Sequence, residues 1–345
     1  MPEDKDHKNS KGFSILLTGI TIATLVFVAI VIYFFPSPEQ APVFHSDALT
    51  SPYSDSIDWV KPDIKSLGNS GSDKQIKYGR DLIAKTAYYL GPQGSVKHIS
   101  NGMNCQNCHL DAGTKFLGNN YSAVASTYPK FRARSGSIES IYKRINDCLE
   151  RSLNGTALDT SSSEMQAIKA YILWLGKEIP KGKKIRGSGI ADLPYMPRKA
   201  DTVNGRSIYV RRCQSCHTTD GEGIMNAATN TYTYPPLWGP NSYNNGAGLY
   251  RLSRLAGYVK YNMPFGVGYW DPRLSNEEAW DVAAFINSQP RPAGNVGHDW
   301  PKLSSKPVDN PFGPYPDTFG IAQHKYGPFG PIEKYRKEQA DKKVM

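Results

Sequence analysis

Residues 105–109 read CQNCH and residues 213–217 read CQSCH, and these two stretches decide the fold of the 345-residue chain. The C-x-x-C-H pattern is typical of covalent haem c attachment, in which two thiols add to the porphyrin vinyl groups and the adjacent imidazole becomes the proximal iron ligand. A structural zinc pair or two disulfides would also use such cysteines, but two copies between helical segments favour two covalently bound haem c groups. The predicted attachment thiols and proximal ligands are Cys105, Cys108 and His109, and Cys213, Cys216 and His217.

The segments around the two motifs resemble each other, which indicates an internal repeat. Each contains a Gly-Arg pair at a predicted helix start ahead of its cysteines, at residues 79–80 and 205–206. Each also ends in an amphipathic helix that begins at a capping box. The predicted boxes are Ser161 with Glu164 and Ser275 with Glu278. Such a repeat predicts a mainly α fold made of two class I cytochrome c domains in tandem.

The rest of the chain is assigned around these domains. The first domain is predicted at residues 73–180 and the second at residues 200–290, with a linker of Lys, Gly and Pro at residues 181–199. Residues 36–72, rich in Pro, Ser and Asp, are interpreted as a spacer. Residues 291–345 contain many Pro and Gly residues, which predicts an extended tail that wraps over the haem domains.

Residues 13–35 form a run of 23 positions without a charge, long enough to cross a bilayer as one helix. Lys5, Lys8 and Lys11 precede this run, whereas residues 36–47 contain no Lys or Arg. By the positive-inside rule the N-terminus, residues 1–12, stays in the cytoplasm and the haem domains face the periplasm or extracytoplasmic space. We predict a single-pass anchor in the inner membrane; a cleaved signal peptide is the alternative, disfavoured by the length of the run.

The formal net charge of +10 and the pI of about 9.2 favour an anionic partner. The basic residues are scattered along the chain, and the cysteine motifs lack zinc-finger spacing. We therefore expect no nucleic-acid partner.

Each predicted haem iron needs a sixth ligand or an open site. In the second domain Met263 lies in a Met-Pro loop between the haem motif and the last helix. A thioether ligand raises the reduction potential, which suits an electron-transfer haem. Met225 is a rival that lies too close to His217 in sequence, and Met263 as a mere core residue is the alternative.

The first domain contains no Met or His between His109 and Ser161, and Cys148 lies at the comparable position. Residues 138–153 are predicted to form one helix that directs Cys148 inward. We predict that Cys148 is an axial thiolate on the first iron, which would depress its potential and make this haem a reaction centre. A small buried thiol without a role is the alternative.

Basic residues surround Cys148 in the sequence. Between residues 130 and 151 the cations outnumber the anions six to three. A local positive field lowers a thiol pKa and attracts anions. Arg134 and Arg144 are the preferred anion-binding candidates, and Arg132 and Arg151 are less certain; solvated helix surface is the alternative for all four.

These segments resemble the dihaem thiosulfate dehydrogenases, the tetrathionate-forming family within the cytochrome c superfamily. The resemblance covers residues 75–290 and is most specific at residues 103–110, 128–134 and 144–155. It implies that two thiosulfates are joined into tetrathionate with release of two electrons, in some members in reverse. It further implies that the second haem passes electrons to an acceptor c-type cytochrome or a membrane electron-transfer protein.

The resemblance also implies roles for particular residues. The His109 and Cys148 ligands would mark the catalytic haem, and Arg134, Arg144 and Ser152 would bind thiosulfate. His217 and Met263 would hold the second haem. Some family members have a lysine directly before the distal methionine and exchange the two as ligands, but Asn262 occupies that position here, which puts such a switch in doubt.

Two other functions stay open at the level of sequence. One is a non-catalytic dihaem electron-transfer cytochrome, or a dihaem subunit of a terminal oxidase, which predicts Met or His on both irons. The other is a different sulfur-compound enzyme with a cysteine-ligated haem.

Overall fold

The computed structural model describes residues 58–183 and 185–342. The predicted anchor at residues 13–35 lies outside this part of the chain, as do residues 1–12 and most of the predicted spacer. Among the helices of the described ranges, none is long and apolar enough to cross a membrane.

The first domain consists of helices, one small hairpin and irregular loops. Its helices are α1 (Gly71–Ala84), α2 (Thr86–Leu90), α3 (Val124–Thr127), α4 (Ile141–Asp147) and α5 (Ser163–Leu175). Antiparallel strands β1 (Lys130–Arg132) and β2 (Ser137–Glu139) precede α4. Short 3-10 helices cover Ile64–Ser66 and Cys105–Asn107, a kinked helical turn covers Leu110–Gly113, and a π-helical turn covers Cys148–Ser152.

The second domain has the same plan. Its helices are α6 (Thr202–Arg212), α7 (Gln214–His217), α8 (Leu252–Asn262) and α9 (Asn276–Ser288). Antiparallel strands β3 (Ile224–Asn226) and β4 (Thr231–Tyr234) follow the haem motif, and a 3-10 helix covers Gly248–Tyr250.

The first and last helices of each domain cross at a glycine. A Cβ on Gly79 of α1 would lie 1.9 Å from the Ala167 carbonyl oxygen of α5, and one on Gly205 of α6 would lie 2.0 Å from that of Asp281 on α9. Only glycine allows the two backbones to approach this closely. The repeat is therefore present, but the prediction that Gly79 starts a helix is wrong, because it lies in the middle of α1, where the crossing requires it.

The two predicted capping boxes have different outcomes. The box of Ser275 and Glu278 at the start of α9 is confirmed, since each side chain accepts a bond from the other residue's backbone N–H. The box at Ser161 is wrong, because Ser162 caps α5 by accepting from the Met165 N–H. Glu164 instead accepts from the Tyr78 hydroxyl at 3.1 Å, which ties α5 to α1.

The helix predicted over residues 138–153 is shorter than expected. Ile138 pairs with Phe131 in the hairpin, and α4 begins only after Ser140, whose side chain caps it. The last turn is a π-helix that ends at Ser152, and Asn154, with a φ of 43°, stops the helix as predicted. A π turn inside a helix is often found at functional sites.

The chain on either side of the two domains is more ordered than predicted. Trp59 of the predicted spacer donates its indole N–H to the Leu175 carbonyl at 3.0 Å. The extended tail is correct for most of residues 291–320, but wrong beyond them, where α10 (Ile321–Tyr326) and α11 (Gly330–Lys342) form. Strong helix formers after Pro331 explain α11, and Phe329 before them packs its ring 5.7 Å from that of Trp280.

Candidate active site

The histidine of the first haem motif is oriented as a haem ligand would be. The His109 Nδ1 donates to the Asn119 carbonyl at 2.6 Å, which leaves Nε2 free for iron. Burial lowers the pKa of His109 to about 4, so the imidazole is neutral, as a metal ligand must be. The Tyr121 ring stacks on the imidazole with 4.4 Å between ring centroids and fixes its orientation.

Cys148 lies half-buried at the junction of α4 and the π turn. The negative charge of its thiolate is the main reason that the pKa of Arg144 lies above its usual value. After burial, the same charge is the largest influence raising the pKa of Cys108. The Cys148 sulfur therefore interacts electrostatically with the Arg144 guanidinium group and with an attachment thiol of the first haem motif. Its bond to iron stays a prediction.

Arg134 and Arg151 converge on one backbone carbonyl. Both donate through Nη1 to the Gly246 carbonyl of the second domain, at 3.2 and 3.3 Å. Arg151 also forms a two-pronged salt bridge with Asp299 of the tail, at 2.7 and 2.8 Å. Burial and then the charge of Arg151 lower the pKa of Arg134 to about 10, while Asp299 opposes them.

The four arginines predicted as anion-binding candidates therefore form a group in the structure. The charges of Arg151, Arg144 and Arg132 all act on Arg134, in that order. Arg132 lies 4.0 Å from the buried carboxylate of Glu139. Ser152 lies half-buried at the end of the π turn, four residues after Cys148. The assignment of thiosulfate binding to these residues stays a prediction.

A cavity of about 550 Å³ in the second domain brings together the second set of predicted residues. Those residues are Cys213, Cys216, His217 and Met263. The His217 Nδ1 donates to the Pro235 carbonyl at 2.8 Å, again leaving Nε2 free. The rival Met225 lies on β3 with 43% of its surface exposed. The size and donor set fit a haem c with one imidazole and one thioether, and the iron bond of Met263 stays a prediction.

The two haem sites share a wall. The second cavity is also lined by residues of the first motif, among them Asn107 and Cys108. The Tyr258 hydroxyl of α8 donates to the Asn107 carbonyl at 2.8 Å. Buried Asn262 donates to the carbonyls of Leu117 and Tyr258, at 3.1 and 3.0 Å. Its amide therefore joins the two domains. The position before Met263 thus serves domain contact here, whereas some family members have a lysine ligand there.

Sequence reasoning missed two members of the site. Gly246 contributes a backbone carbonyl and Asp299 a carboxylate, and neither belongs to a motif. Only the excess of unpaired cations around Cys148 indicated that a counterion was needed.

Comparison with protein families matches both domains. Residues 95–180 match the SoxA/TsdA cytochrome c domain, and residues 202–290 match the cytochrome c family. The chain thus carries two covalently bound haem c groups.

Individual known proteins are similar to this chain. The chain is 40% identical over 230 residues to thiosulfate dehydrogenase of Allochromatium vinosum, a match that covers 66% of this chain and 82% of that protein. It is 38% identical over 205 residues to thiosulfate dehydrogenase of Psychrobacter arcticus, covering 59% and 61%. The solved structure of thiosulfate dehydrogenase (TsdBA) from Marichromatium purpuratum in the as-isolated form superposes with a TM-score of 0.63 at 30% identity, over 68% of this chain and 50% of that chain.

Proposed function

Because this chain belongs to the dihaem thiosulfate dehydrogenase family, we propose that it joins two thiosulfate anions into one tetrathionate and releases two electrons. Tetrathionate reduction would be the same reaction in reverse. One observation carries the proposal: the charge of Cys148 acts both on an attachment thiol of the first haem motif and on Arg144, which belongs to a group of arginines. A dihaem electron shuttle has no use for such an anion site.

The arginines supply what the reaction needs first. Two thiosulfate dianions repel each other, so their sulfurs meet only where positive charge offsets the repulsion. Guanidinium groups present several N–H donors in a fixed plane and match oxyanions well. Arg144 interacts electrostatically with Cys148, and Arg134 interacts with both Arg151 and Arg144. We assign to them the binding and alignment of the two anions, and to Ser152 a hydroxyl contact.

Cys148 is proposed as a residue that would hold the first iron and as the nucleophile. The sulfane sulfur of one thiosulfate bonds to the Cys148 thiolate sulfur, and the two sulfurs together give up two electrons as this bond forms. The sulfane sulfur of a second thiosulfate then attacks the bound sulfane sulfur. This step forms tetrathionate, breaks the bond to Cys148 and restores its thiolate, so charge and atoms balance.

The bound haems supply one-electron acceptors for these two electrons. The protein's part is to place the two sites side by side, through the Tyr258 contact with Asn107. We propose that electrons leave from the second site, to an acceptor c-type cytochrome or a membrane electron-transfer protein.

We further propose that residues 13–35 anchor the protein in the inner membrane, with both haem domains in the periplasm or extracytoplasmic space. The charge-free run and the lysines before it support this location. Fractionation tests it: the intact protein should resist carbonate extraction, and release of the haem domains without detergent would contradict the anchor.

The activity is tested with purified protein carrying both haems, thiosulfate and ferricyanide. We expect one tetrathionate for each two ferricyanide reduced. An active wild type and an inactive Cys148→Ala variant with full haem content support the proposal. Full activity in that variant would contradict the role of Cys148, and an inactive wild type would contradict the function itself.

A further inference from the structure

Two consecutive tail residues lie against the arginine group. Asp299 forms its two-pronged bond with Arg151, and its Oδ2 lies 4.0 Å from the Arg134 Nε. The Trp300 N–H donates to the Arg134 carbonyl at 2.7 Å, and its ring lies 5.8 Å from the Arg134 guanidinium carbon. The side chains of Asp299 and both arginines are only 15% and 18% exposed. The tail therefore forms a wall of the proposed thiosulfate site.

The backbone of this segment is held in place. Trp300 is buried and has a φ of 64°, a conformation that costs free energy for a bulky side chain and persists only where the surroundings enforce it. The next residue, Pro301, packs on Gly136 in the loop between β1 and β2. A Cβ on Gly136 would lie 2.6 Å from the Pro301 Cγ. These contacts fix where the Asp299 carboxylate lies relative to the loop that carries Arg134.

The carboxylate meets an electrostatic need of the site. Arg134 and Arg151 both donate to the Gly246 carbonyl, so their guanidinium groups lie close together and repel each other. A carboxylate that bonds both Nη atoms of Arg151 offsets part of this repulsion and fixes the plane of that guanidinium group. Charge-assisted, two-pronged pairs of this kind are stronger and more directional than single bonds.

We infer that Asp299 is a positioning residue of the thiosulfate site: through Arg151 it holds the pair Arg134 and Arg151 in the geometry that receives a thiosulfate anion. This inference rests on the proposed function. Asp299 need not touch the substrate. Its carboxylate even repels thiosulfate. If Asp299 acted only through its charge, its removal would strengthen thiosulfate binding. If it positions the arginines, its removal weakens that binding.

The test is Asp299→Asn in the full chain with both haems. If net charge alone mattered, the loss of a negative charge would lower the KM for thiosulfate. Positioning predicts the reverse: KM, and the Kd measured by calorimetry with thiosulfate, should rise about tenfold with kcat changed less than about twofold. Asp299→Glu, which keeps the charge, should recover part of the loss and covers the case in which the asparagine variant does not fold.

Two comparisons make the test specific. Asp192→Asn removes an exposed carboxylate that pairs with Arg254 at 2.8 Å in the second domain, and it should leave KM unchanged. Because Asp299 acts through Arg151, the double variant Asp299→Asn, Arg151→Gln should be no weaker than Arg151→Gln alone.

A lower KM or a faster reaction in Asp299→Asn would overturn the inference and show that the tail competes with the substrate. An unchanged KM in an active enzyme would overturn it while leaving the proposed function intact. A wild type that carries both haems but neither binds nor oxidises thiosulfate would contradict both.

Discussion

The two haem sites share one scaffold and differ in the candidate residues that accompany the proximal histidine. In both, a glycine lets the first and last helices cross, and a backbone carbonyl fixes the histidine ring. In the first domain the remaining candidate residues are Cys148 and a group of arginines, and the charge of Cys148 acts on Arg144. In the second, Met263 faces a cavity lined mainly by apolar and aromatic side chains. On our proposal the scaffold holds a haem in both domains, and these accompanying residues determine what each haem is used for.

The largest effect is expected when the first site is made to resemble the second. Cys148→Met replaces a charged nucleophile by a thioether of the kind provided by Met263. Thiosulfate oxidation should fall by at least on the order of 10³-fold, because the sulfur no longer forms the covalent adduct. Ferricyanide assays measure the loss. Retention of activity, with both haems still attached by the pyridine haemochrome assay, would remove the proposed difference between the sites.

The second largest effect is expected from Arg144→Gln. This change removes a guanidinium group whose pKa is raised chiefly by its interaction with Cys148. kcat/KM for thiosulfate should fall by about 100-fold, the cost of removing one positioned charge from an active site. The matched control is Arg254→Gln, which removes an arginine paired with Asp192 on the second domain, and it should keep wild-type kinetics. Equal losses in both variants would mean that only total charge matters.

The shared scaffold is tested by Gly79→Ala and Gly205→Ala. The two new methyl groups would lie at nearly equal distances from the opposing carbonyl oxygen, 1.9 Å for Gly79→Ala and 2.0 Å for Gly205→Ala. Each should reduce the free energy of unfolding of its domain by about 1–3 kcal/mol, since the helices must move apart. Urea titration followed through each haem's absorption measures this. A large cost in one domain and none in the other would show that the scaffolds are not equivalent.

The smallest effects concern the helix caps. Ser162→Ala and Ser275→Ala should each reduce the free energy of unfolding by about 1 kcal/mol, since each removes a side-chain bond to a free backbone N–H. Ser161→Ala should cost less, because that side chain bonds only to Asp159 on the surface. Urea titration of the three variants checks the order, and a larger cost at Ser161 would restore the capping box that the structure contradicts.

Most of the fold and part of the candidate site could be predicted from local sequence motifs. The haem motifs, the cap at Ser275 and the placement of Met263 depend on residues near each other in sequence, and their patterns were readable. Glu164 was misassigned because its bond to Tyr78, 86 residues away, replaced a local one.

Long-range partners were not readable from sequence. Asp299 meets Arg151 across 148 residues with no periodicity or motif to connect them. Gly246 acts through its backbone, which every residue has. The hairpin before α4 was also missed, because its exposed Phe131 and Ile138 pair without a buried face to give a strand pattern.

The most direct test of the account is low-temperature electron paramagnetic resonance of the oxidised protein with both haems bound. We expect two different low-spin ferric signals, one typical of thiolate ligation and one typical of histidine and methionine ligation. The thiolate signal should be lost in Cys148→Met. Two signals without thiolate character in the wild type would contradict the ligation of the first haem by Cys148, and with it the difference between the two sites.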